Sequence, residues 1–268
     1  MTRDTWQRRA GLLLATAVLV IATRAGADPA KAAAAPAPNP IDAKAVARVR
    51  AMSAVLAAAE AFTVHGEINY DEVMHSGRKL QFAAAVEAAV RRPNGLAVEF
   101  LSDLGGKKLW YDGKSFTLLD LVHDAYATGA APPTTLAFLE ETETKQGISF
   151  PLIDFLTDDP AARLLAGVRS AFVVGPGDVG GTTCEHLAFS NDVLDWQLWI
   201  DPGDKPLPRK VVITYRNRAA APQYGAVFSE WAFPRSIQDE HFVADLPSDA
   251  HKVDFVAARN APAEEKKP

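Results

Sequence analysis

The stretch Phe62-Thr-Val-His-Gly-Glu-Ile-Asn-Tyr-Asp71 decides the fold. Phe62, Val64, Gly66, Ile68 and Tyr70 alternate with Thr63, His65, Glu67, Asn69 and Asp71, a period of two. Successive strand side chains point to opposite faces, so this is a strand with one apolar and one polar face. The same pattern returns at Leu80, Phe82, Ala84, Val86, Ala88 and Val90, and again at Leu96, Val98 and Phe100 after Arg92-Pro93-Asn94-Gly95. Asp112-Gly113, between Leu109-Trp-Tyr111 and Ser115-Phe-Thr-Leu118, is a strong two-residue hairpin signal. Alternation joined by tight turns means an antiparallel sheet, dry on one side and wet on the other.

Working outward, the period changes to that of helices. Asp42 can cap a helix to about Ala61, with Val46, Val49, Ser53, Leu56, Ala59 and Phe62 on one stripe. Pro132-Pro-Thr134 opens a second helix to about Lys145. Pro151–Leu156 reads as a short apolar helix, and Asp159-Pro160 starts another that Gly167 closes. Strands resume over 171–174, 183–189, 195–200, 209–215 and 223–231. The fold class that follows is α+β: a single curved antiparallel β-sheet of about nine to eleven strands, an unclosed barrel. The N-terminal helix and the short mid-chain helices cover its concave face.

The N-terminus reads as an address. Arg3, Arg8 and Arg9 precede twelve uncharged residues, Gly11 to Ala22, and then Ala25-Gly-Ala27. A basic start, a short apolar middle and a small-x-small end make a secretory signal peptide, cleaved after Ala27. Twelve helical residues reach about 18 Å, too short for a bilayer core. Arg8-Arg9 is a poor twin-arginine match because Ala10-Gly11 follows it, which favours the general secretory route. Residues 28–41 are an Ala/Pro-rich linker, 42–256 the folded domain and 257–268 a polar tail. The expected location is the periplasm, with no membrane span left after cleavage.

Composition narrows the chemistry. The chain has 268 residues, 48% hydrophobic and 23% charged, with a formal net charge of −5. That is ordinary globular composition and excludes a chain-wide basic surface for nucleic acid. Cys184 is the single cysteine, so neither an intrachain disulfide nor a cysteine zinc cage can form. Gly175-Pro-Gly-Asp-Val-Gly180 matches G-x-G-x-x-G but leads into a strand instead of a helix, so it lacks the amide-lined phosphate cradle and reads as a loop. No G-x-S-x-G elbow and no H-E-x-x-H occurs. His65 and Glu67 share the polar face of their strand, where a solvated pair is the ordinary outcome; Cys184 and His186 share a face, which leaves a Cys/His pair open beside the commoner reading of a small core cysteine. The reading is a non-enzyme with no cofactor and no metal site.

Several blocks occur in a specific order: Arg91-Arg-Pro-Asn94, Tyr111-Asp-Gly-Lys114, Pro151-Leu-Ile-Asp154, His186-Leu-Ala-Phe189, Asp195-Trp-Gln-Leu-Trp-Ile-Asp201 and Pro206 to Tyr215. Together they resemble an uncharacterised family of predicted periplasmic bacterial proteins, a domain of unknown function. That family is similar to the wider LolA/LolB-like superfamily of lipoprotein carriers and receptors. The resemblance implies an unclosed barrel with helices over an apolar cavity, and a role in carrying an acyl chain, a lipid or a lipid-modified protein. No cysteine lies near the cleavage site, which disfavours a lipid-anchored receptor.

On this reading the candidate cavity is lined by Phe62, Val64, Ile68, Leu80, Phe82, Val86, Val98, Phe100, Leu187, Phe189, Trp196, Leu198, Ile200, Val211 and Ile213. The candidate lid is Leu136, Phe138, Leu139, Leu152, Ile153, Phe155 and Leu156. The expected partner is a hydrophobic small molecule, a lipid or a lipid-modified protein. Two alternatives stand beside it: an envelope protein–protein interaction module with a packed core, using Trp199 on the wet face as an anchor, and an uncharacterised hydrolase.

Overall fold

Asp42 accepts a hydrogen bond from the Lys44 amide at 2.8 Å and starts α1, Ala43–Ala57. The computed structural model describes residues 40–146, 148 and 152–255; the expected signal peptide, the linker before residue 40 and the tail lie outside them. The helix ends about a turn earlier than the apolar spacing suggested, because Ala61 and Phe62 already belong to the sheet. Its buried stripe is Ala45, Val49, Met52, Ser53 and Leu56, with Val46 and Ala59 left at the margin.

The first meander is β1 (Ala61–Val73), β2 (Lys79–Arg91), β3 (Gly95–Ser102), β4 (Gly105–Tyr111), β5 (Ser115–Asp120) and β6 (Ala125–Ala130). Three helices follow: α2 (Thr135–Gln146), α3 (Ile153–Leu156) and α4 (Pro160–Leu164). The second meander is β7 (Ser170–Val179), β8 (Thr182–Ser190), β9 (Leu194–Ile200), β10 (Pro208–Tyr215) and β11 (Gln223–Ala232), and a two-residue β12 (His251–Lys252) closes the count. All twelve strands form one sheet in the order β12-β6-β5-β4-β3-β2-β1-β11-β10-β9-β8-β7. Every pairing is antiparallel except β12 with β6. The two meanders meet at β1–β11, and the sheet does not close.

The Asp112-Gly113 hairpin forms between β4 and β5. Asp112 Oδ1 accepts from the amides of Lys114 and Ser115 at 2.8 and 2.7 Å, and Gly113 takes a positive φ of 86°. Two elements differ from the sequence reading. β6 was not expected, since Ala125-Tyr-Ala-Thr-Gly-Ala130 has too few large apolar residues to show alternation. The Gly175-Pro-Gly177 stretch is not a loop: β7 runs through it to Val179, with a register shift between Val173 and Gly175. The glycines permit that irregularity at a sheet edge, where Pro176 loses no ladder bond that an inner strand would need.

After β11 the chain crosses the outer face of the first meander. Phe242 is buried there against Gly95, under the Arg91 guanidinium at 4.5 Å, while Arg91 also bonds Asp239 at 2.6 Å and the Ile237 carbonyl at 3.0 Å. A Cβ on Gly95 would sit 2.9 Å from the Phe242 ring, so this crossing needs glycine. The chain then rounds the sheet edge through β12, and Phe255 meets Phe116 at 5.0 Å.

Candidate functional site

Register places the expected apolar residues on one face. Across the sheet, Phe62, Val90, Leu96, Tyr111 and Phe116 are successive partners; so are Ile68, Ala226, Val211, Leu198 and Leu187; so are Ile213, Trp196 and Phe189. The helices lie over this face unevenly. Phe138 of α2 stacks on Tyr111 at 4.3 Å and tilts against Phe116 at 5.1 Å. Phe155 of α3 meets Phe228 edge-on at 5.3 Å. α1 packs on α4 and β7.

Polar contacts pin the helices. Arg92 donates to the Leu56 and Leu156 carbonyls and to Asp158, tying α1 and α3 to the end of β2. Arg163 of α4 bonds Asp154 at 2.7 Å and Glu140 at 2.9 Å, joining three helices; Asp154 is the main cause that holds its guanidinium above the usual range. Tyr111 donates to the Pro132 carbonyl at 2.8 Å, and burial, then the charge of Asp112, pushes its phenol up to about 12.

The candidate residues therefore separate into two sets. Phe62, Val64, Ile68, Leu187, Phe189, Trp196, Leu198, Ile200 and Val211 are buried in the packed core, with the lid residues Phe138, Leu139, Ile153, Phe155 and Leu156 on top of them. Leu136 and Leu152 are half-buried. Inside this set the space between α3–α4 and β9–β10 is about 80 Å³, lined by Phe155, Leu164, Trp196, Val211 and Ile213 among others. That is well under the roughly 300 Å³ of a typical ligand pocket. Phe82, Val86, Val98, Phe100 and Ile213 are half-buried, and Leu80 is 40% exposed.

The half-buried set forms two register-linked groups, Val98–Phe100–Val86 and Phe82–Tyr70–Tyr224–Ile213, with the buried pair Ile68 and Ala84 between them. Val98 and Phe100 follow each other on one face of β3; Phe100 pairs with Val86; Phe82 pairs with Tyr70; Tyr70 pairs with Tyr224; Tyr224 pairs with Ile213. Phe100, Phe82 and Tyr70 lie toward the ends of β1–β3 that carry the β1–β2 and β3–β4 turns, whereas Ile213 borders the space beneath α3 and α4. Tyr70 and Phe82 are in ring contact at 5.9 Å. Sequence reasoning missed Tyr70, Tyr224 and Leu118, all half-buried on this face. The alternation that marked Tyr70 as facing the sheet interior was the available signal. It also missed Gly66, where a Cβ would lie 2.9 Å from Val86 Cγ1. Glycine there lets Val86 and Phe228 close over β1.

The remaining chemical candidates are held in structural contacts. Cys184 is buried, its thiol faces the Thr182 carbonyl at 3.5 Å, and burial, then Asp201, pushes its pKa up, the reverse of nucleophile activation. The His186 ring stacks on Trp199 at 4.0 Å and bonds Gln197 at 2.9 Å. Lys210 Nζ lies 4.8 Å from the Trp199 ring centroid, so that indole is half-buried among cross-strand contacts. His65 bonds Glu67 at 3.0 Å and also Glu87, which together raise its pKa. Among the described residues no group of three His, Cys, Asp or Glu is arranged to hold a metal. Among the same residues no helix is long and apolar enough to cross a membrane.

Residues 45–256 match the family model described as predicted periplasmic protein (DUF2092). The chain belongs to that family. No curated protein matches this DUF2092 chain. Among solved structures it is similar to LprF from Mycobacterium bovis, at 13% identity and a TM-score of 0.46, covering 80% of this chain and 100% of that one. The lipoprotein LppX from Mycobacterium tuberculosis gives 14% identity and 0.45, over 74% and 100%. The LolA superfamily protein NE2245 from Nitrosomonas europaea gives 9% identity and 0.36, over 75% and 97%.

Proposed function

We propose that this protein is a non-catalytic periplasmic carrier that binds an acyl chain or similar hydrophobic ligand along the half-buried strip Val98–Phe100–Val86–Phe82–Tyr70. The observation that supports this is the strip itself. Val98, Phe100, Val86, Phe82 and Tyr70 stay partly accessible, while Phe62, Val90, Leu96 and Tyr111 on the same face are fully buried. A folded domain that could have covered them, but leaves them accessible, has a surface suited to an apolar partner.

Burial supplies the affinity. Complete removal of a methylene from water is worth about 0.8 kcal/mol, so a chain lying on an open face, covered on one side, gains about half that per methylene. Fourteen such groups give about 5–6 kcal/mol, a dissociation constant on the order of 0.1 mM. Weak, one-sided binding suits a carrier that must release its cargo.

The test is uptake of a fluorescent fatty acid by the chain purified without its signal segment. Phe82→Glu is expected to lower affinity at least about tenfold with an unchanged urea midpoint, because it puts a carboxylate on the strip without touching the packed core. A folded Phe82→Glu protein that binds like wild type overturns the reading. Trp196→Glu, 6% exposed in the packed set, is expected to lose the fold instead.

A further inference from the structure

We infer that the ligand of this strip is an anionic amphiphile, with Lys107 receiving the charged head and Phe100, Val86 and Phe82 receiving the chain. The inference rests on the carrier reading and adds the chemistry of the head. On the strip's side of β1–β6, register allows charged residues at only three positions: Glu72, Lys107 and Asp120. Glu72 stands at the far end of β1, opposite Leu80. Lys107 stands inside the face, directly across from Phe100 on β3 and from Asp120 on β5.

One oxygen of the neighbouring carboxylate is held by its own hairpin. Asp120 Oδ1 accepts from the Val122 and His123 amides at 2.9 and 3.2 Å and faces His123 Nδ1 at 3.2 Å, so it is turned into its own hairpin. No ion pair to Lys107 forms among the described residues, although Asp120 is its cross-strand partner. Nearby lysines behave otherwise: Lys108, on the outer face, pairs with Glu99 at 2.9 Å, and Lys79 pairs with Asp71 at 2.9 Å. Lys107 is thus an exposed ammonium with no ion pair among the described residues, bordered by an aromatic ring that starts the apolar strip. A flexible lysine is a point charge with three donors, able to meet a carboxylate or a phosphate head while its stem lies along Phe100.

The experiment compares three ligands sharing one chain: oleate, oleyl phosphate and oleyl alcohol, each displacing a fluorescent fatty acid at low ionic strength. Wild type is expected to bind the two anions about fivefold or more tightly than the alcohol. Lys107→Met is expected to bring the anions down to the alcohol's affinity and leave the alcohol within about twofold; Lys107→Arg is expected to keep the preference. A gain for oleate alone or for oleyl phosphate alone, lost in Lys107→Met, supports the inference and identifies the head. Equal binding of all three by wild type, or a preference that survives Lys107→Met, overturns it while leaving the carrier reading standing. Failure of all three ligands to bind removes both.

Discussion

The face of the sheet under the helices and the face beside the β1–β2 and β3–β4 turns are written in the same residues and end differently. Phe62, Leu96, Tyr111 and Phe116 alternate with polar neighbours just as Phe82, Val86, Val98 and Phe100 do. The first group is fully buried, with Tyr111 and Phe116 beneath Phe138; the second is only partly buried. The difference lies in where α2, α3 and α4 are anchored. The Thr135 amide bonds the Pro93 carbonyl at 3.0 Å, Arg92 holds α1 and α3, and Arg163 ties α4 to α2 and α3. Every one of these anchors is at the end of the sheet that carries the β2–β3 turn, or within the helices. A sheet wider than its helical cover thus keeps one stable core and one available surface.

The sharpest way to break this comparison is to truncate one ring in each region. Phe138→Ala should cost about 3–5 kcal/mol in urea unfolding, since it removes a fully buried ring stacked on Tyr111. Phe100→Ala should cost less than about 2 kcal/mol, because its ring is only partly buried. Equal losses would mean that the two regions are one core.

A middle-sized effect tests the anchors. Arg92→Ala should cost about 2–3 kcal/mol, by leaving the Leu56 and Leu156 carbonyls without their donor while Asp158 loses its pair. Binding of the fluorescent fatty acid at a temperature where the variant is folded should be unchanged. A parallel loss of binding would show that helix placement shapes the strip.

The smallest effect belongs to the outer face. Hydrogen bonds that His65 donates to Glu67, then to Glu87, raise its pKa above the ordinary 6.5. The folded state therefore favours protonated His65. Its contribution to stability is full below pH 6.5 and is lost as pH rises through the raised folded value. Glu87→Gln should shift the His65 imidazole titration downward by NMR and flatten stability against pH in that window, with ligand binding unaffected. An unmoved titration would remove Glu87 as a cause.

Much of the fold was legible in the sequence. The Asp112-Gly113 turn, the alternation through Phe62–Tyr70 and 80–90, the Asp42 and Asp159 caps and the grouping of short helices in mid-chain all act through neighbours within a few residues. β6 was hidden because alanine and glycine give no hydropathy contrast, and β7's run through Gly175-Pro-Gly177 was hidden because those residues ordinarily mark loops. The site was legible as a face and not as a place. Fifteen residues shared the face by period, yet Trp196 and Phe82 differ in exposure for reasons that no local spacing records.

The sequence by itself determined the strands, their inward faces, the hairpin turns and the helix starts, because each follows from local backbone preference and the two-residue period. Only the tertiary structure decided which part of the apolar face is covered. That depends on contacts between residues far apart in the chain: Arg92 reaching Leu156, Arg163 reaching Glu140, Phe155 meeting Phe228, and β11 pairing with β1. It also decided that Lys107 forms no ion pair with Asp120, its partner across the strand pair, whose Oδ1 is held by its own turn.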